Sequence, residues 1–190
     1  LLPRSGVAAW GDGAGRGECI DSGAGPGGIA RELAKKGCRV AVVEQFLPRD
    51  VLDPGVMVFS QDLDQEPTFS VRGYEYLLLL DVIEHLKDPE AFLDGLRARL
   101  DDSPRTLIIT TPNIAFIVPR LMLLLGHFNY GHTGILDRPH TRLFTFRTML
   151  RLMPDSGFQL QTIRGIPATN PTTNDDSRHA RPLVRVHRCP

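Results

Sequence analysis

The sequence predicts an α/β fold: a mostly parallel sheet with helices on both faces. Three observations carry this. Apolar runs alternate with helical patterns along the chain, the order that builds parallel sheets. The runs are apolar throughout, as strands covered on both faces are. Between the first run and the first helix lies the glycine-dense turn of "IDSGAGPGGIARELAKKG", residues 20–37. Glycine is needed where φ is positive or where a ligand meets the backbone.

The elements follow in order. Residues 18–22 form a short strand ending at the glycines. A helix over 28–36 sets Ile29, Leu33 and Ala34 on one face and is closed by Gly37. Strands over 39–43, 56–59 and 76–80 end at or near Glu44, Asp62 and Asp81. Asp88 caps the next helix, with Pro89 at its first position and Phe92, Leu93, Leu96 and Leu100 along one side. A fifth strand covers 105–110. Thr145 caps a helix carrying Met149, Leu150 and Met153, ended by Pro154 and Gly157, and 158–163 is a sixth strand.

Composition narrows the class. At 190 residues and 42% hydrophobic content the chain suits one domain with a real core. Its formal net charge of zero leaves no broad basic field for nucleic acid or an anionic membrane, though it leaves room for a local patch, and no nucleic-acid partner is expected. The most apolar stretch, 107–126, is interrupted by Pro112, Asn113, Pro119 and Arg120 and is a poor membrane span. Cys19, Cys38 and Cys189 are scattered and lack C-x-x-C spacing, which fits a reduced, cytoplasmic setting. The chain opens on Leu1, as a fragment or processed chain would. Residues 1–17 read as a loose N-terminal segment, and 168–190 as a flexible or abnormal tail with few apolar residues.

The glycine turn permits two registers. Gly23, Gly25 and Gly28 fit the G-x-G-x-x-G of a dinucleotide site; Gly23, Gly25 and Gly27 fit the G-x-G-x-G of an S-adenosylmethionine site. Glu44, roughly 20 residues past the loop, can accept both ribose hydroxyls, which either ligand has, and disfavours a 2′-phosphate. Asp21, two residues before the first glycine, separates the ligands better. A buried negative charge there is unfavourable beside a pyrophosphate and favourable beside an ammonium and a sulfonium. Asp62, in "SQDLDQ", can accept from an adenine amino group, or simply favour a turn. Ligands of such sheets gather at the carboxyl ends of the strands, which puts Gly23, Glu44, Asp62, Asp81 and Pro112 on one rim.

Asp21-x-Gly-x-Gly-x-Gly, Glu44, the "DLD" stretch and "DVIEHL" before a D-P-capped helix together resemble class I S-adenosylmethionine-dependent methyltransferases. The later "TTPNIAFIVPRLMLLLGHFNYGHTGILDRPHTRLFT" is similar to a branch that includes the ubiquinone-biosynthesis O-methyltransferases. The resemblance covers about 18–167, the expected methyltransferase domain, and implies a Rossmann-like three-layer sandwich whose seventh strand runs antiparallel. That strand is doubtful or missing: "PLVRV", Pro182 to Val186, is short and basic, and its loss would expose a sheet edge. The resemblance implies that Gly23, Gly25 and Gly27 line the cofactor. It further implies that Asp21 supports the methionyl end, Glu44 the ribose, and Asp62 with Leu63 the adenine, while Asp81 faces the reacting end.

Methyl transfer to a hydroxyl chiefly needs alignment and removal of one proton. His85 and His140 are the candidate bases, with Asp81 beside them. Asp81, Glu84 and His85 also have the spacing at which a strand end and the first turn of a helix converge, and His140 could complete a mixed oxygen and nitrogen metal set; some related O-methyltransferases use E-x-x-E-H with a divalent ion. Here the first acid is Asp, and the reading in which Glu84 and His85 stabilise a helix start is preferred over a metal. Ile114, Ile117, Leu121 and Leu125 fall on one helical face, with Phe116 and Leu124 beside it. They serve either as ordinary core or as the wall for an apolar or lipid-linked acceptor, with Phe128, Tyr130 and His132 closing over it. The sequence thus favours S-adenosylmethionine-dependent O-methylation of a small-molecule or sugar-like acceptor. A NAD-dependent oxidoreductase and a non-catalytic methyltransferase-like module are the alternatives.

Overall fold

The computed structural model describes residues 17–46, 55–100, 105–128, 130–131, 136, 138–167 and 180–188. Residues 1–16 of the loose segment expected over 1–17, and 168–179 and 189–190 of the expected tail, lie outside them. Seven strands form one sheet: β1 (Glu18–Ser22), β2 (Arg39–Val43), β3 (Met57–Phe59), β4 (Tyr76–Leu80), β5 (Thr106–Thr110), β6 (Phe158–Pro167) and β7 (Ala180–Arg188). Their order in space is β3-β2-β1-β4-β5-β7-β6. The first five are parallel, and β7 runs antiparallel between β5 and β6.

The doubtful seventh strand is therefore corrected. The sequence looked too basic because only alternate residues face inward: Val184 and Val186 are fully buried while Arg185 between them is exposed. Part of the expected tail thus completes the sheet, and it covers the edge of β5 from Leu107 to Thr110.

Among the described residues four helices accompany the sheet: α1 (Gly28–Lys35), α2 (Pro89–Arg99), α3 (Ile117–Leu124) and α4 (Phe146–Asp155). α1 lays Ile29, Ala30 and Leu33 on the face made by Cys19, Val40, Val42 and Leu78. The opposite face, with Ile20, Val43, Leu77 and Leu79, takes Phe92, Leu93 and Leu96 of α2 and Met149, Leu152 and Met153 of α4. The caps are those expected. Asp88 Oδ1 accepts from the Ala91 amide at 2.8 Å, and Thr145 and Thr148 form a reciprocal capping box.

α3 stands apart. Only Pro119 of it is buried, so the ordinary-core reading of this apolar run does not hold. The helix starts late because Asn113 bridges to Phe144 and the Ile114 amide donates to the Phe144 carbonyl. It ends before Gly126, whose φ is 79°. Among the described residues no helix is long and apolar enough to cross a membrane.

Candidate active site

β1 and β4 are neighbours whose chain continuations leave to opposite sides, the point in such sheets where ligands bind. Here the β1–α1 turn is held by the Gly23 amide, which donates to the Val43 carbonyl at 2.8 Å. Gly23 has φ 74°, and a Cβ on it would lie 2.5 Å from Val82 Cγ2. Gly25 has φ 50° with nothing within 4 Å of a Cβ position. Gly27, φ 70°, is the N-cap of α1 and donates to the Ala24 carbonyl at 2.9 Å. The first two glycines line the cleft; the third shapes the turn without lining it.

Glu44 leaves β2 with its amide donating to the Phe59 carbonyl at 3.0 Å. Its carboxylate accepts from the amides of Gly25 at 3.0 Å, Gln45 at 2.9 Å and Phe46 at 3.3 Å. The glycine turn and the end of β2 are therefore one connected unit. After β3, Asp62 Oδ1 accepts from the Asp64 amide at 3.0 Å, so its turn-forming role is real. Asp64 in turn accepts from the Lys87 amide at 2.9 Å and pairs with Lys87 Nζ at 3.2 Å, joining this loop to the one after β4. Asp81, at the end of β4, has φ 55°. Its amide donates to the carbonyl and hydroxyl oxygens of Thr110, and Thr110 Oγ1 donates back to Asp81 Oδ1 at 3.1 Å.

These loops enclose a cleft of about 440 Å³ lined by Gly23, Gly25, Glu44, Asp62, Leu63, Asp81 and His85 among others, a volume in the range of small-ligand sites. Pro112, expected on the rim, is not among its lining residues. Asp21 lies behind the turn, on the α1 side of the sheet. It is 2% exposed and does not line the cleft, and its Oδ2 has no hydrogen-bond partner. Burial, and secondarily the Glu44 carboxylate, push its carboxyl up from 3.8 to about 7.

At the far end of the cleft, Glu84, His85 and His140 bring their ligand atoms within 4.8 Å of one another; Asp81 is not in that group. Residues 141 and 142 fix the arrangement. The amides of Thr141 and Arg142 donate to the Glu84 carbonyl at 2.9 and 3.0 Å, and Thr141 Oγ1 donates to the Leu86 carbonyl at 2.6 Å. His85 Nδ1 lies 3.2 Å from the Pro139 carbonyl. A carbonyl only accepts, so Nδ1 carries the hydrogen and neutral His85 keeps its lone pair on Nε2. His140 meets the His85 ring edge-on, centroids 4.8 Å apart. Of the expected closing residues, Phe128 and Tyr130 pack edge-on at 5.5 Å, and His132 lies outside the described residues. None of the α3 residues lines the cleft.

Sequence reasoning missed Thr110 and the Asp64–Lys87 latch. Thr110 reads only as the last residue of a strand, and "DLD" offers two acids with nothing local to divide their roles.

The family model that matches this chain is that of a methyltransferase domain, over residues 3–163. The chain belongs to that family. This methyltransferase also shares its fold with solved structures at low identity. Magnesium protoporphyrin IX methyltransferase from Synechocystis, with bound S-adenosylhomocysteine, is 19% identical with a TM-score of 0.64, over 97% of this chain and 79% of that one. The Burkholderia thailandensis 1,6-didemethyltoxoflavin N1-methyltransferase, also with S-adenosylhomocysteine, is 14% identical with a TM-score of 0.66, over 98% and 84%. An S-adenosylmethionine-dependent methyltransferase from Mesorhizobium loti is 15% identical with a TM-score of 0.66, over 96% of both chains. No curated protein matches the methyltransferase by sequence.

Proposed function

We propose that the methyltransferase takes S-adenosylmethionine in the glycine-turn cleft and transfers its methyl group to an oxygen of a small-molecule or sugar-like acceptor. The observation that carries this is Gly25. It lines the cleft in a left-handed turn, with open space where a side chain would stand, and Glu44, Asp62 and Asp81 share that cleft. A cradle of bare backbone ringed by three carboxylates suits a ligand with ribose hydroxyls and positive charge. It suits a dinucleotide pyrophosphate poorly.

Bound S-adenosylmethionine supplies a methyl group already activated on a sulfonium. The residues then divide the work. Glu44 would accept from a ribose hydroxyl at Oε2, beside the bond it keeps from the Gly25 amide. Asp62 and Leu63 hold the adenine. Gly23 and Gly25 allow close approach, with Gly27 setting the turn. Asp81, fixed by Thr110, faces the reacting end. Asp21 supports the methionyl end from behind the turn, where a nearby cation favours its ionised form. His85 removes the acceptor's proton at Nε2, and His140 positions the His85 ring. The mixed set Glu84, His85 and His140 also has the donor chemistry for a divalent ion, but His85 as base is the reading favoured here. A methyl-transfer assay with a chelator separates the two, because undiminished turnover leaves only the base. The branch similar to the ubiquinone-biosynthesis O-methyltransferases is supported by "GILD" and the apolar run after β5.

Calorimetric titration tests the cofactor assignment. S-adenosylhomocysteine should bind and NAD should give no heat; the reverse result would reject the proposal.

A further inference from the structure

We propose that α3 and the residues just after it dock the protein on an anionic lipid bilayer surface. Among the described residues, eight of the eleven exposed large hydrophobic side chains lie between Ile117 and Tyr130. Leu124 and Leu125 are 81% and 73% exposed. At 3.6 residues per turn, the exposed Leu123, Leu124, Ile117, Leu121 and Val118 spread over about 220° of the helix. A helix that packs on a protein face shows a stripe of about 100°. An arc twice as wide suits a medium that surrounds the helix.

Charge selects the kind of medium. No Asp or Glu occurs from Ser103 to Leu136, while Arg120 and His127 stand exposed within the patch and Arg138 beyond it. Arg120 has no ion-pair partner among the described residues. An arginine with an apolar stem and a free head suits lipid phosphates. Phe128 and Tyr130, both exposed and packed edge-on, have the amphipathic character of residues at headgroup depth. Eight residues make about 12 Å of helix, too short to cross a bilayer core of about 30 Å, so the segment lies in the interface. A second copy of the chain is the weaker occupant. It would cover one side of the arc and set Arg120 near its own counterpart.

The patch begins seven residues after Thr110, whose hydroxyl holds Asp81 in the cleft. The inference does not depend on the cofactor assignment, and its test has its own readout.

The test is flotation of the full chain with vesicles of phosphatidylcholine alone and with phosphatidylglycerol added. The chain should float with the anionic vesicles, less so at high salt. Leu124→Ser with Leu125→Ser should weaken this tenfold or more, and Arg120→Gln several-fold on anionic vesicles alone. Melting temperature and S-adenosylhomocysteine binding should stay unchanged in both variants, showing that the fold is intact. Three results would overturn the proposal: no flotation of the parent chain, flotation indifferent to the leucine substitutions, or a parent-chain dimer that those substitutions dissolve.

Discussion

The two sides of the cleft are built differently. On the side of β1 to β4, each loop is tied to its neighbour by backbone or side-chain hydrogen bonds: Gly23 to Val43, Gly25 to Glu44, Lys87 to Asp64, Asp81 to Thr110. On the side after β5, α3 contributes one buried residue and leaves a run of leucines exposed. The first side holds its shape before any ligand arrives, as preorganised sites do. The second is free of the core, as a surface for an acceptor or a membrane must be. Substitutions should separate the two: those on the braced side change stability and cofactor affinity together, and those on the open side change neither.

Gly23→Ala should give the largest effect. Its added Cβ meets Val82 at 2.5 Å with φ at 74°, so strain and overlap together should cost about 3 kcal/mol in a denaturant melt. A melt within error of the parent would show that the turn is looser than its bonds imply. Glu44→Ala should weaken S-adenosylhomocysteine binding roughly 10- to 100-fold by calorimetry, since charged hydrogen bonds are lost.

Asp21→Asn sharpens the comparison through pH. The Asp21 carboxyl is raised from 3.8 to about 7 on folding, so the folded chain holds that proton more tightly than the unfolded one. The resulting stabilisation is fully present below pH about 4 and is lost as pH rises through 7. The Asn variant should therefore gain on the parent across that window, by on the order of 1–3 kcal/mol, and hold a constant lead above it. Melts at several pH values check this; a constant difference at every pH would mean the carboxyl does not titrate there. On the open side, Leu124→Ser should shift stability by less than about 0.5 kcal/mol.

How much was legible in the sequence follows the same division. Strand ends, glycines and caps are backbone constraints, and these are written locally. Glu44 at the end of β2 and Asp88 before Pro89 could be placed from spacing alone. β7 was obscured because Arg185 stands between its inward Val184 and Val186, and because β5, one of its two neighbours in the sheet, is distant in sequence. Thr110 was missed because its partner, Asp81, is met only through strand pairing. The Thr141 latch that holds the segment of His140 beside Glu84 and His85 was missed, because spacing along the chain does not reveal it. The exposure of α3 was unreadable for a related reason. An apolar run looks the same whether the fold covers it or leaves it open.

The central claim is that the cradle at Gly25 holds the cofactor. Gly25→Leu tests it most directly, because the new side chain would enter a space that is empty in the protein. Calorimetric titration with S-adenosylhomocysteine should show binding by the parent chain and none by a Gly25→Leu variant that still melts cooperatively. Equal affinity in the two would place the cofactor elsewhere and contradict the account.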